Sequence, residues 1–280
     1  MTRPVADNAA SARLLAFDTS TEQLAVALHT PSGHWVEQGA GGAAASAALL
    51  PAVHALLARA GLGLVEVDAV AFGCGPGAFT GLRTSCAVAQ GLALGIGCPV
   101  LPINSLLIVA EEARARVAAQ AAYFDVAVAM DARLQQVYAA RYLWRAAPPG
   151  AAGAGAWKVL EAAALCSLDE VNRAWQASPP AWLAGTAPAA FGAPLHSPAN
   201  AQWAGPELQR AAALLRLAQA AWAAGDGVDA AQALPLYLRD KVALTTDERA
   251  ALRLGAGAAN GDAVSVSNAV SNAVSNGVSK

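Results

Sequence analysis

Apolar and polar positions along this 280-residue chain change period repeatedly, and each change marks an element. Leu14-Leu15-Ala16-Phe17 is an unbroken apolar run, the pattern of a strand buried on both faces. Leu24, Val26 and Leu28 alternate with Ala25 and Ala27, predicting a second strand. Residues 34–38 predict a third, after a turn at Pro31-Ser32-Gly33. From 46 to 60 the period lengthens to that of a helix, with Leu50, Val53 and Leu57 on one face. Pro51 falls near its first turn, where a missing N–H is tolerated. A strand at 69–72, a helix at 80–95, a strand at 100–101 and a helix at 105–118 follow.

The order then restarts. Residues 124–130 read as a strand ending in Asp131, 136–142 as an alternating strand and 157–160 as a third. A helix over 168–176 is capped by Ser167, and 181–184 reads as a strand. A last helix over 206–224 has Pro at its start and Gly225 past its end, the expected asymmetry. Asp18 precedes Gln23 by five residues, and Asp131 precedes Gln136 by five. The pattern predicts a duplication: two α/β lobes, each a mixed sheet flanked by helices, facing each other across a cleft. The first lobe is expected at 13–119 and the second at 120–254. Residues 1–12 read as a flexible leader, and 146–156 as a Pro/Gly/Ala-rich loop. Residues 255–280, where Ala-Val-Ser-Asn recurs, read as a low-complexity disordered tail.

Composition narrows the function classes. Charged residues are 14% of the chain, against a usual quarter, so part of the surface is expected to be covered by a partner. The net charge of −2 supplies no global basic field for nucleic acid. The four cysteines form no Cys-x-x-Cys pair and the four histidines no His-x-x-x-His, so no metal site and no zinc chemistry are expected. No apolar export signal opens the chain, and Gly, Gln and Pro interrupt its longest apolar stretch, 87–103. A soluble, cytoplasmic protein is expected.

Two loops carry the candidate chemistry. Gly73-Cys74-Gly75-Pro76-Gly77-Ala78-Phe79-Thr80-Gly81 joins a predicted strand to a predicted helix, with Thr80 as the expected cap. Its glycines match neither a P-loop nor a dinucleotide fingerprint, so it is either a structural turn or a ligand loop of another kind. Arg83 sits in the helix's first turn, the wrong end for a cation on dipole grounds, which points to a carboxylate or phosphate partner. Asp18-Thr19-Ser20-Thr21 lies at a strand's carboxyl end. Two-lobed ATPases hold magnesium-bound phosphate with such a loop, while the plain alternative is an Asx turn closing a hairpin. At the repeat position, Asp131-Ala132-Arg133 puts a long cation where a phosphate loop wants glycine. The pairs Glu111-Glu112 and Asp247-Glu248 read as solvated faces. Along the helix after the glycine loop, Ala87, Gly91 and Gly95 make a small-residue stripe suited to close helix approach. With Leu50, Val53 and Leu57 it forms the expected partner interface.

These segments together resemble the TsaB (YeaZ-like) family. The likeness is carried by Phe17 to Thr21, by Gly75, Pro76, Gly77, Phe79, Thr80, Gly81 and Arg83 continuing through Gln90-Gly91, by Met130 to Arg133 with Val137-Tyr138, and by Pro235-Leu236-Tyr237-Leu238-Arg239. Ala45-Ser46 departs from a His-Ser/Thr pair common in relatives. The resemblance implies an actin/Hsp70-like (ASKHA) fold of two ribonuclease-H-like lobes. It implies a non-catalytic subunit in the synthesis of N6-threonylcarbamoyladenosine at adenosine 37 of tRNA, without catalytic residues of its own. Its partners would be the catalytic TsaD-type homologue and a TsaE-type ATPase, with tRNA reached through the complex and self-pairing when the partner is absent. No cofactor is implied, apart from a nucleotide at the partner interface, and Asp18, Thr19, Ser20 and Asp131 would be vestigial phosphate loops. The rival reading is an ATP-dependent kinase or ATPase of the same two-lobed fold, using Asp18, Thr19 and Asp131. A metallopeptidase, a label long attached to the superfamily, lacks a zinc ligand set.

Overall fold

The computed structural model describes residues 11–148, 155–205 and 207–239. Residues 1–10 of the leader, the 149–154 part of the loop, Pro206, Asp247-Glu248 and the 255–280 tail lie outside them.

Strands β1 (Leu14–Asp18), β2 (Gln23–Thr30) and β3 (Gly33–Ala40) form an antiparallel meander. Helix α1 (Ala45–Ala60) leads to β4 (Ala69–Gly75), parallel to β1, and α2 (Phe79–Ile96) to β5 (Val100–Asn104), parallel to β4. The sheet order is β3-β2-β1-β4-β5. Helix α3 (Ser105–Val117) crosses to a second sheet. There β6 (Tyr123–Asp131), β7 (Gln136–Ala146) and β8 (Gly155–Ser167) make another antiparallel meander. After α4 (Leu168–Ala177), β9 (Trp182–Ala184) runs parallel to β6, and after α5 (Ala187–Phe191), β10 (Gln202–Trp203) runs parallel to β9. The order β10-β9-β6-β7-β8 repeats that of the first sheet. Asp18 and Asp131 end equivalent strands, and Gln23 and Gln136 begin the next ones. This is the actin/Hsp70-like pairing of two ribonuclease-H-like lobes.

The two faces of the first sheet differ in side-chain size. Leu15, Phe17, Val26, Val70 and Phe72 fill one face against α1 and α2. Ala16, Ala25, Ala27, Ala69 and Ala71 line the other, and their short side chains let α6 (Arg210–Ala224) lie close through Leu214, Leu217, Ala218 and Trp222. The last helix therefore follows the second sheet in sequence but packs on the first. The helix expected from Pro206 begins at Arg210 and ends at Ala224, capped by Gly225, whose φ is 76°.

Val53 and Leu57, expected at a partner interface, are buried in the core beneath α1, at 0% and 3% exposure. A side chain already covered by its own sheet offers nothing to a second protein. Pro51 lies in the second turn of α1, because the helix starts at Ala45. With the short 3₁₀ turn before it, this helix (Gly42–Ala60) is long and apolar enough to cross a membrane. Its Leu49, Val53 and Leu56 nevertheless belong to the core.

Glu111 and Glu112 are also buried, contrary to the solvated face expected of them. Glu111 accepts hydrogen bonds from Arg114, from Arg216 on α6 at 2.6 Å and from Trp157 Nε1 on β8 at 3.1 Å. Burial pushes its pKa up, but the two arginines outweigh that and hold the carboxyl below its ordinary range. This one carboxylate ties α3 to both α6 and the second sheet.

At the far end of β2, buried His29 places its Nδ1 3.0 Å from Nδ1 of exposed His34. Its Nε2 has no hydrogen-bond partner among the described residues. Burial first, and the neighbouring His34 second, hold the His29 pKa below the usual histidine value. As pH falls through that value, the unfolded chain takes up a proton that the folded chain resists, so stability is lost on acidification and regained above it. Replacing His29 with asparagine is expected to flatten the melting-temperature profile between about pH 6.5 and 5. An unchanged acid limb in that variant would show that His29 does not cause it.

Candidate functional site

The β1–β2 turn and the glycine loop fold onto each other. Asp18, Thr19 and Ser20 are 0%, 1% and 2% exposed. Asp18 Oδ1 accepts the Ser20 N–H, closing an Asx turn. Thr19 donates its hydroxyl to the Gly81 carbonyl at 2.7 Å, and its N–H to Ser85 Oγ at 3.0 Å. The Ala78 N–H donates to the Ser20 carbonyl at 2.8 Å. Approach this close needs glycine. A Cβ at Gly73 would stand 2.0 Å from Asp18 Oδ2, one at Gly77 2.6 Å from the Ser20 carbonyl, and one at Gly81 1.8 Å from the Thr19 carbonyl. The Gly75–Pro76 peptide is cis, and Gly75, at φ 116°, also receives the Leu236 backbone closely.

The loop is thus a turn that clasps the strand end. Thr80 is exposed and does not cap α2, whose N-cap is Ala78, with no side-chain bond. Arg83 meets aromatic groups where a carboxylate or phosphate was expected. Its Nε donates to Tyr237 Oη at 3.3 Å, and its guanidinium lies 5.6 Å from the Phe79 ring, which stacks on Tyr237.

The residue that answers Asp18 is Arg210, at the start of α6. Its Nη2 donates to Asp18 Oδ2 at 2.7 Å and to Ser20 Oγ at 3.2 Å, and its Nη1 to both Glu207 oxygens at 2.9 Å. Ser105 Oγ lies 3.4 Å from the same Asp18 oxygen. Arg210 is 1% exposed. Burial alone would lower its pKa, but Asp18 and Glu207 outweigh that, so it stays protonated. Burial raises the Glu207 pKa, while Arg210 pulls the other way. The Cys74 thiol on β4 is pushed up to about 12, first by burial and then by the charge on Asp18. Asp18, Thr19 and Ser20 are therefore bonded within their own chain, and the Asx turn weighed as the plain alternative to a phosphate loop is present. A metal-bound nucleotide does not fit there, because a guanidinium already occupies the carboxylate.

At the repeat position, Asp131 Oδ1 accepts the Arg133 N–H at 2.7 Å, and the Arg133 guanidinium is 3.6 Å from Oδ2. Arg133, Leu134 and Gln135 have φ of 65°, 54° and 57°, so the turn runs through left-handed backbone. Arg133 also reaches Glu22 of the first-lobe turn at 3.7 Å. Here too the aspartate has an arginine of its own chain nearby, but Arg133 is exposed where Arg210 is buried.

The remaining interface candidates are exposed. Leu50 on α1 is 41% exposed, and Ala87, Gly91 and Gly95 on α2 face outward. Nothing lies within 4 Å of where a Cβ at Gly91 or Gly95 would stand. Leu94, between them, is 62% exposed. Ser46 and Thr84 hydroxyls meet at 3.1 Å and hold the two helices together. A groove of about 550 Å³ elsewhere, along α4 and the His196-Ser197-Pro198 loop, contains none of the expected site residues. Among the described residues, no three His, Cys, Asp or Glu side chains converge on a metal position.

The sequence reading missed Arg210, Glu207, Ser85 and Ser105. No sequence signal marks Arg210: with the helix started at Pro206 it falls past the first turn, and only the start at Arg210 in the structure sets this cation against the dipole.

A family model described as TsaD, tRNA N6-adenosine threonylcarbamoyltransferase, matches residues 42–163. The tRNA threonylcarbamoyladenosine biosynthesis protein TsaB of Haemophilus influenzae is 33% identical over 229 residues, spanning 82% of this chain and 94% of its own. The TsaB of Escherichia coli is 36% identical over 137 residues, 46% of this chain and 54% of its own. Among solved structures, YeaZ from Pseudomonas aeruginosa superposes with a TM-score of 0.67 at 37% identity, covering 81% of this chain and 100% of that one.

Proposed function

From the premise that this chain belongs to the TsaB family, we propose that it serves tRNA N6-threonylcarbamoyladenosine biosynthesis as a non-catalytic subunit. It docks on a catalytic TsaD-type homologue and orients it. The observation that carries the reading is the outer face of α2: small or apolar residues at Ala87, Gly91, Leu94 and Gly95, beside exposed Leu50, with open space above the glycines. Glycine costs a helix about 1 kcal/mol per residue relative to alanine. Two glycines that relieve no crowding inside the chain support a second helix approaching from outside. The interface is thus Leu50, Ala87, Gly91, Leu94 and Gly95, without Val53 and Leu57.

In this reading the two lobes, proposed at 13–119 and from 120 onward, serve as a scaffold acting in the cytoplasm. A TsaE-type ATPase joins the assembled pair, tRNA is met through the complex, and the same face pairs two copies when the partner is absent. A nucleotide, if the complex holds one, sits at the partner interface.

Gly91→Trp tests the face. The variant is expected to fold normally, because its side chain enters open space. It is expected to lose co-purification with the TsaD-type protein of its own organism, weakening pairing by roughly 30-fold or more. A folded Gly91→Trp protein that pairs as the parent does would remove this face from the reading.

A further inference from the structure

We propose that Arg210 is a resident cation, a guanidinium held where the fold would otherwise place a metal-bound phosphate, so that the chain closes its own nucleotide site with its own helix. That guanidinium donates to Asp18 Oδ2, Ser20 Oγ, the Ser105 carbonyl and both Glu207 carboxylate oxygens, between 2.7 and 3.4 Å from its nitrogens. An oxygen-only set of this kind suits a hard cation, and the planar guanidinium fork satisfies it from within.

The position is meaningful for a second reason. Asp18 and Asp131 end equivalent strands of the two lobes, and each faces an arginine of this chain, Arg210 for the first and Arg133 for the second. The buried Arg210 repels a magnesium ion at the first strand end, whereas water screens the exposed Arg133 at the second. Arg210 adds a mechanical consequence. It anchors the start of α6, the helix covering the alanine face of the first sheet, to the turn clasped by the glycine loop.

This inference bears on the non-catalytic half of the reading above, and it is tested on the free full-length chain, apart from docking. Arg210→Ala is expected to lower the melting temperature by about 10 °C. Millimolar guanidinium, compared with sodium at equal ionic strength, is expected to restore several degrees to that variant and none to the parent. The parent is expected to show no thermal shift with magnesium–ATP. Should Arg210→Ala fail to fold, Arg210→Lys and Arg210→Gln take its place. The lysine variant, which keeps the charge, is then expected to melt clearly above the glutamine variant.

Lack of guanidinium rescue in a folded Arg210→Ala protein overturns the proposal. So do lysine and glutamine variants of equal stability, or stabilisation of the parent by magnesium–ATP that vanishes in Asp18→Asn. A parent that binds magnesium–ATP through Asp18 yet still pairs through α2 would sink this inference while leaving the docking surface intact.

Discussion

Asp18→Ala is expected to destabilise the folded chain by about 3–5 kcal/mol, because it strips a buried guanidinium of its nearest counter-charge. Arg210 would keep Glu207, but its Nε and Nη2 would lose the oxygen they share, and the Ser20 N–H would lose its acceptor. Burial prevents water from replacing those bonds, since Asp18 and Arg210 are 0% and 1% exposed. Urea unfolding should show a lower midpoint with an unchanged slope. The triple variant Asp18→Asn/Arg210→Met/Glu207→Gln removes all three charges together, since Glu207 shares the same guanidinium, and is expected to recover much of the loss, because a neutral cluster of similar volume needs no counter-ion. A loss below about 1 kcal/mol in Asp18→Ala would mean that water enters the site freely. The same variant distinguishes the rival ATPase reading: an aspartate kept for metal is expected to affect binding far more than stability.

Gly81→Ala should cost about 3 kcal/mol through overpacking alone. Its Cβ would sit 1.8 Å from the Thr19 carbonyl oxygen and 2.7 Å from the carbonyl carbon, both backbone atoms. No rotamer change relieves such a contact. Either α2 or the β1–β2 turn must move, and the Thr19 hydroxyl bond to the Gly81 carbonyl moves with it. Gly91→Ala, ten residues along the same helix, meets nothing within 4 Å and should instead gain up to about 1 kcal/mol from helix propensity. Chemical denaturation of the two variants side by side checks the contrast. Equal stabilities would show that the glycine loop does not need its close approach to Asp18-Thr19-Ser20.

Regular elements with full amphipathic periods were read with nearly the right bounds. Alternation over Leu24 to Leu28 marked β2, and the Ser167 cap on α4 appears in the structure as a complete capping box with Glu170. Of the shorter elements, the three-residue β9 is legible at 181–184, while others are not. The two-residue β10 and five-residue α5 are too brief to show a period, and β8 spans 155–167 where only 157–160 was expected. Its exposed outer residues and two register shifts against β7 break the alternation that would have revealed it.

Polar residues were harder to place than apolar ones. Glu111 and Glu112 carry no sign in the sequence that their helix face is covered, because the cover comes from Arg216 and Leu208, about a hundred residues away. The same difficulty separated Val53 from Leu50. Both lie on one helix, and only the packing of α1 on the first sheet decides that Val53 is core and Leu50 is surface.

The order of strands and helices, the doubling of that order, and the glycine positions in the clasping loop belong to the sequence alone. Side-chain period and backbone sterics act over a few residues, and each segment carries them without help from the rest. The partner of Asp18 does not belong to that class. Arg210 stands 192 positions further on, and the two meet only because α6 returns to the alanine face of the first sheet. Whether a strand-end aspartate awaits a metal or is already satisfied is a question of what lies within 3 Å of it, and distance in space at that range is set by packing.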